Sequence, residues 1–273
     1  GRTDSQGLRI GRTFSALSNT FWTFRNILYI GSAALSGFGA GALAIQGLRF
    51  NASMEQNTIA MEHFLGSTDA ASVYLDQPTV PAARTPFQFQ PLAEAAKRML
   101  AFGYAGDEAL TTLSSIGDAV SGLGTGTEGI DRIVLAFGQI KSAGVLQGDE
   151  IRQLQEAGIN AYKYLEQAGL ITREDIGQIG LLHIEANKAL DAINKGMAQD
   201  FGGLAKKQGQ TFTGLLSTLH DYTMRFLGGI THPAFVYLRV QVLPGLVDDA
   251  MRLTEAFKAG GTEELLRTFD QIV

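Results

Sequence analysis

From Leu92 onward, apolar side chains recur at three- and four-residue steps, the spacing that keeps them on one face of a helix. Leu92, Ala96 and Met99 mark one stripe, and Leu110, Leu113, Ile116 and Val120 the next. Ile130, Val134 and Phe137 follow, then Ile151 with Leu154, then Tyr162 with Leu165. Two longer stripes come after: Ala186, Leu190, Ile193, Met197 and Phe201, and Leu215, Leu219, Tyr222 and Phe226. Gly103, Gly144, Gly158 and Gly169 punctuate these runs and are expected at or beside helix ends. The last amphipathic helix, LVDDAMRLTEAFKAGG, closes on a glycine pair. Prolines at 78, 81 and 86 make Gln77 to Gln90 a loop, and Pro91 is expected to open the helix after it. No stretch alternates with period two between turn signals. The chain reads as all-α, with short glycine-punctuated helices, longer amphipathic helices and an apolar N-terminal helix.

That apolar helix is expected over residues 26–48, NILYIGSAALSGFGAGALAIQGL, which carry no charge between Arg25 and Arg49. As a helix it would extend about 34 Å, enough to cross a bilayer core. Ala33, Gly37 and Gly41 recur every fourth residue, the small-residue spacing that lets helices approach closely. Gly and Ala, however, supply ten of these residues, so the run is only modestly hydrophobic. It suits a packed helix in a bundle as well as a membrane-active one. Either way the Ala33–Gly37–Gly41 face predicts a homo-oligomer. Three regions are expected: 1–49, the apolar N-terminal segment; 50–230, a helical domain; and 231–273, a C-terminal helical extension. The chain begins with Gly1 rather than Met, as an excised piece of a longer protein would.

Composition narrows the chemistry. Cysteine is absent, which removes disulfides and thiolate catalysis. The histidines, His63, His183, His220 and His232, form no local metal-ligand pair. Residues 1–50 hold five arginines and one aspartate, while 51–273 hold 17 basic and 26 acidic residues of the chain's 22 and 27. An acidic body is a poor match for nucleic acid. GLGTGTEG at 122–129 lacks the Lys and Ser/Thr of a phosphate loop and reads as an inter-helix loop. His220 and Asp221 are neighbours on a helix, about 100° apart, and read as a solvated face rather than a dyad. The pairs Asp107–Glu108, Asp149–Glu150 and Asp248–Asp249 read as helix-start carboxylates favoured by the helix dipole. In AFGQIKSAGVLQGDEIRQLQEAGINAYKYLEQAG, residues 136–169, two short helices flank a glycine turn. As a DNA reader its second helix would offer Lys163 against Glu166, with Asp149, Glu150 and Glu156 close by, which is the wrong charge balance. Packing is expected instead: Leu146, Ile151, Leu154 and Ile159 face a core, with Asp149 and Glu150 in a helix's first turn. No catalytic residue, metal ligand or cofactor site is expected.

GQIKSAGVLQGDEIRQLQEAGI resembles the signature of the N-terminal conserved domain of tailed-phage tape measure proteins. SMEQNTIAMEHFLGSTDAA resembles that domain's opening, and AARTPFQFQPLAEAAKRMLAFG its Thr-Pro-Phe segment. LSSIGDAVSGLG resembles its Gly-Asp-Ala step, and FGGLAKKQGQTFTGLLSTLHD its closing Phe-Gly-Gly and Thr-x-x-Gly segments. The resemblance runs from about Phe50 to Asp221. It implies a structural, non-enzymatic virion component that lies in the tail tube lumen, sets tail length, scaffolds tube assembly and takes part in genome ejection. The partners implied are the tail tube protein, tail assembly chaperones and tail tip or baseplate proteins, with the host membrane during ejection and no sequence-specific nucleic acid. It would be in the host cytoplasm during assembly and in the virion afterwards. The alternative from another class is a membrane-active, pore-forming or toxin-like helical protein.

Overall fold

The computed structural model describes residues 40–76 and 85–272. Its helices are α1 (Ala40–Leu65), α2 (Thr68–Asp76), α3 (Phe89–Ala101), α4 (Gly106–Leu123), α5 (Gly126–Ala143), α6 (Gly148–Glu156) and α7 (Ala161–Gln167). A 3-10 segment (Arg173–Leu181) leads to α8 (Ala186–Phe201), α9 (Leu204–Gly209) and α10 (Phe212–Tyr237). A π-helical turn (Leu238–Val242) joins α10 to α11 (Leu243–Ile272). Among the described residues there is no strand, and one isolated bridge pairs Val145 with Glu185. The fold is all-α, as the stripes predict.

Two compact units emerge. The larger comprises residues 53–223. In it α4 is central, packing against α3, α5, α8 and α9. Its stripe is buried throughout: Leu113, Ile116 and Val120 are essentially closed to solvent, as are Ile130, Val134 and Phe137 of α5. Each such side chain contributes about 1.5–3 kcal/mol through burial. Helices approach closely where one contributes glycine. A Cβ on Gly138 would stand 2.0 Å from the Phe102 ring, and one on Gly196 would stand 2.2 Å from Tyr164. The smaller unit draws its described residues from 40–52 and 224–272. There Gly47 and Gly228 mark the crossing of α1 and α10, where a Cβ on Gly47 would lie 2.6 Å from the Leu227 carbonyl oxygen.

Local readings differ from the structure at several points. The charged Arg49 does not end the apolar run: α1 passes through it from Ala40 to Leu65, because an exposed Arg is a good helix former and no breaker intervenes. Residues 26–39 of that run lie outside the described residues. Helix α3 starts two residues before Pro91, at Phe89. The proline still falls in the first turn, where its missing N–H is not needed. In α7 Tyr164, not Tyr162, joins Leu165 in the core. Asp248 and Asp249 do not begin a helix, since α10, the π turn and α11 follow without a gap; Asp248 pairs instead with Arg252 one turn on, at 3.6 Å. The glycine pair does interrupt α11, with Gly260 and Gly261 in non-helical conformations. Among the described residues, no helix is long and apolar enough to cross a membrane.

Candidate functional site

The glycine-turn stretch forms the end of α5, all of α6 and all of α7. Leu146, Ile151, Leu154 and Ile159 are fully buried. Gly144 adopts φ 73°, a left-handed conformation that lets α5 end and the chain reverse. The turn is then pinned to the start of α8. Leu146 N–H donates to the Ile184 carbonyl at 2.8 Å, and Ala186 N–H donates to the Gly144 carbonyl at 2.9 Å. Asp149 and Glu150 stand in the first turn of α6. Asp149 makes an ion pair with Arg152 at 3.2 Å rather than a capping hydrogen bond. The face of α7 that would have to read DNA is engaged within the fold. Lys163 Nζ bonds Asp200 at 2.6 Å, and Tyr164 donates to the same carboxylate at 2.8 Å. Those two donors hold the Asp200 carboxyl below its ordinary pKa.

The other signature segments converge on α4. Asp118 of the Gly-Asp-Ala step accepts from Gly203 N–H at 3.0 Å and from Ala205 N–H at 2.9 Å. One carboxylate thereby satisfies the start of α9, in the Phe-Gly-Gly segment, from a helix 85 residues away. Gly122 leaves room for Phe201 and Leu204, which a Cβ would meet at 2.6 and 2.8 Å. Phe87 of the Thr-Pro-Phe segment is buried against Gly117. The start of α3 is held in a similar way: Asp221 accepts from Phe89 N–H at 3.2 Å. Asp221 is therefore a capping group, not part of a solvated His–Asp face. Glycines 124 and 126 join α4 to α5, as expected of an inter-helix loop.

A cleft of about 650 Å³ opens between α4, α5 and α8, floored by Tyr104 and Phe137. Lys141 crosses it, with Nζ 2.7 Å from Glu108 and 3.0 Å from Asn187 Oδ1. The same ammonium lies 4.8 Å from the centroid of the Tyr104 ring. Burial first, and the Glu108 charge second, push the Tyr104 hydroxyl well above the ordinary phenol range. It stays a donor, to the Phe137 carbonyl at 3.4 Å. Glu108 also accepts from Ala105 N–H at 3.2 Å, so it serves the start of α4 as well as Lys141. Both charged groups are matched inside the fold, which makes this cluster a strut rather than an acid–base pair. Among the described residues, no group of three or more His, Asp or Glu side chains stands close enough to hold a metal ion.

Of the small-residue face expected to associate, Ala33 and Gly37 lie outside the described residues. Gly41 stands in the first turn of α1 with open space where a Cβ would be. The row Leu215, Leu219, Tyr222 and Phe226 is not core: each residue is more than half exposed. Helical periodicity identified that row as an apolar face but carries no information about what covers it. Asp118 and Asp221 had no local signal, because their partners are backbone N–H groups far along the chain. Glycines such as Gly138, placed inside helical stripes, were the one legible sign of close approach.

A protein family described as "Tape measure protein" matches residues 46–232. The chain is also 27% identical over 242 residues to "Mu-like prophage FluMu protein gp42" of Haemophilus influenzae. That alignment takes in 86% of this chain and 37% of the relative, so the chain spans well under half of the relative's length. No solved structure matches.

Proposed function

The chain belongs to the tape measure protein family, and on that premise we propose that it works inside a phage or prophage tail, where it sets tail length and scaffolds assembly of the tube. The family match over residues 46–232 carries this reading. In our reading the protein is structural, not enzymatic: its signature residues are spent on packing and on helix ends, as with Phe87, Asp118 and Leu154. A helix advances about 1.5 Å per residue, so a helical chain is a natural ruler. The glycine-broken helices of residues 53–223 suit a folded station along such a ruler better than its extended part. The virion partners are the tail tube protein, the assembly chaperones and the tail tip or baseplate proteins, and the protein leaves the lumen with the genome on ejection. It acts as a homo-oligomer, with the Ala33–Gly37–Gly41 face as one contact. Purification of tails from induced cells tests the placement: the chain should copurify with tail tube protein after the tails are sized away from soluble protein. Its absence from intact tails would remove the lumen reading.

A further inference from the structure

One surface of the smaller unit plays no part in the fold described above, and it lies beyond the residues matched by the family. Val240, Leu243, Leu246, Val247, Met251 and Phe257 are each at least half exposed. At 100° per residue, the five in α11 fall within an arc of about 140° on one side of the helix. The chain's own fold covers the opposite side. Beyond the break at Gly260 and Gly261 the helix turns back, and Arg252, Ala256 and Ala259 form a cleft with Glu264 and Thr268. Ala256 is buried there. The small and charged side of α11 is thus used internally, and the large apolar side is left open.

We propose that a second copy of this chain covers the open side, helix against helix. The spacing of the exposed residues is that of a helix-packing face. None of the six is charged, so the face has nothing to offer nucleic acid or a charged surface, while an identical apolar face complements it. Six side chains at about half of roughly 150–200 Å² each give about 450–600 Å² per copy, or on the order of 1,000 Å² in all, which reaches the size of a specific interface. An apolar patch of a few hundred Å² is already unusual on a monomer that stays monomeric. The proposal stands apart from the length-setting reading, since it concerns the chain alone, without a tail.

Sedimentation equilibrium of the full chain over a wide concentration range tests it, beside Val247→Glu with Met251→Glu. The parent should show a mass of two or more copies that rises with concentration. The double variant should be monomeric, or at least ten-fold weaker in association, with unchanged helical circular dichroism. Both positions are exposed in the monomer; Val247→Lys with Met251→Lys repeats the measurement with the opposite charge if the first pair fails to fold. A parent that stays monomeric throughout would overturn the proposal and assign the face to another segment of the chain or to another protein. A folded variant that associates as well as the parent would overturn it too, by placing the contact elsewhere.

Discussion

Asn51 and Thr231, 180 residues apart, meet where α1 crosses α10: the Asn51 amide donates to Thr231 Oγ1 at 3.1 Å and to the Gly228 carbonyl at 2.9 Å. Both side chains are nearly closed to solvent. The crossing is close because glycine stands on each side of it, Gly47 facing Leu227 and Gly228 facing Phe50. Asn51→Leu should lower the melting temperature, with a cost of about 1–3 kcal/mol for the acceptors left unpaired in the contact. Gly47→Ala should also destabilise. Its Cβ would lie 2.6 Å from the backbone oxygen of Leu227, and backbone yields less readily than a side chain. Overpacking of about 1–3 kcal/mol then outweighs the helix propensity gain of at most about 1 kcal/mol. Thermal denaturation of the two variants checks both; a Gly47→Ala protein more stable than the parent would mean the helices are not held this close.

Asp118 gives a graded test, because its two oxygens serve different N–H groups, Gly203 through Oδ2 and Ala205 through Oδ1. Asp118→Ala should cost about 1–2 kcal/mol, in the range of a lost cap, and Asp118→Asn should cost less because one acceptor survives. Urea midpoints should therefore rank parent, Asn, Ala. Equal midpoints for all three would show that the α9 N–H groups are satisfied otherwise.

At the glycine turn, Leu154 is fully buried and Asp149 is exposed. Leu154→Ala should cost about 2–5 kcal/mol. Asp149→Ala should cost no more than about 0.5 kcal/mol, the worth of an exposed pair with Arg152 one turn away. Chemical denaturation separates the two. A small loss at Leu154 with a large one at Asp149 would reverse the assignment of packing and surface.

The burial of three tyrosines makes an alkaline prediction. Burial raises the hydroxyl of Tyr74 from 10.0 to about 12, with Asp107 adding to the effect. Tyr104 and Tyr164 are raised in the same direction. A raised folded pKa means that the folded chain binds the proton more tightly, so this contribution is full below pH 10 and is lost as pH climbs toward 12. Tyrosinate absorbance should show these hydroxyls titrating late, together with unfolding, while stability falls over that window. Early titration of all seven tyrosines near their ordinary value would contradict the packing around Tyr74, Tyr104 and Tyr164.

These tests fall along the line between what could be read in the chain and what could not. The stripe Leu110–Val120 and the stripe Leu215–Phe226 share the same rhythm, yet the first is core and the second is solvent-facing. Periodicity reports which side of a helix is apolar; whether anything covers it depends on residues that can be anywhere in the chain. Helix ends were legible where glycine must take a left-handed conformation, as at Gly144 and Gly158. They were misplaced where the cap came from afar, as when Asp221 let α3 start before Pro91. The signature segments were legible as segments. That Asp118, Phe87 and Gly203 belong to one assembly was not, because no local pattern pairs a carboxylate with a backbone N–H 85 residues away.

The measurement closest to the central claim is the distribution of tail lengths. Tails from cells carrying the intact reading frame, and from cells in which it is deleted, can be measured by electron microscopy of negatively stained particles. As a tape measure protein, the chain should be required: its deletion should abolish full-length tails or replace their single length with a broad spread, and supplying the frame in trans should restore the single length. Tails of unchanged length and number in the deletion strain would contradict the account.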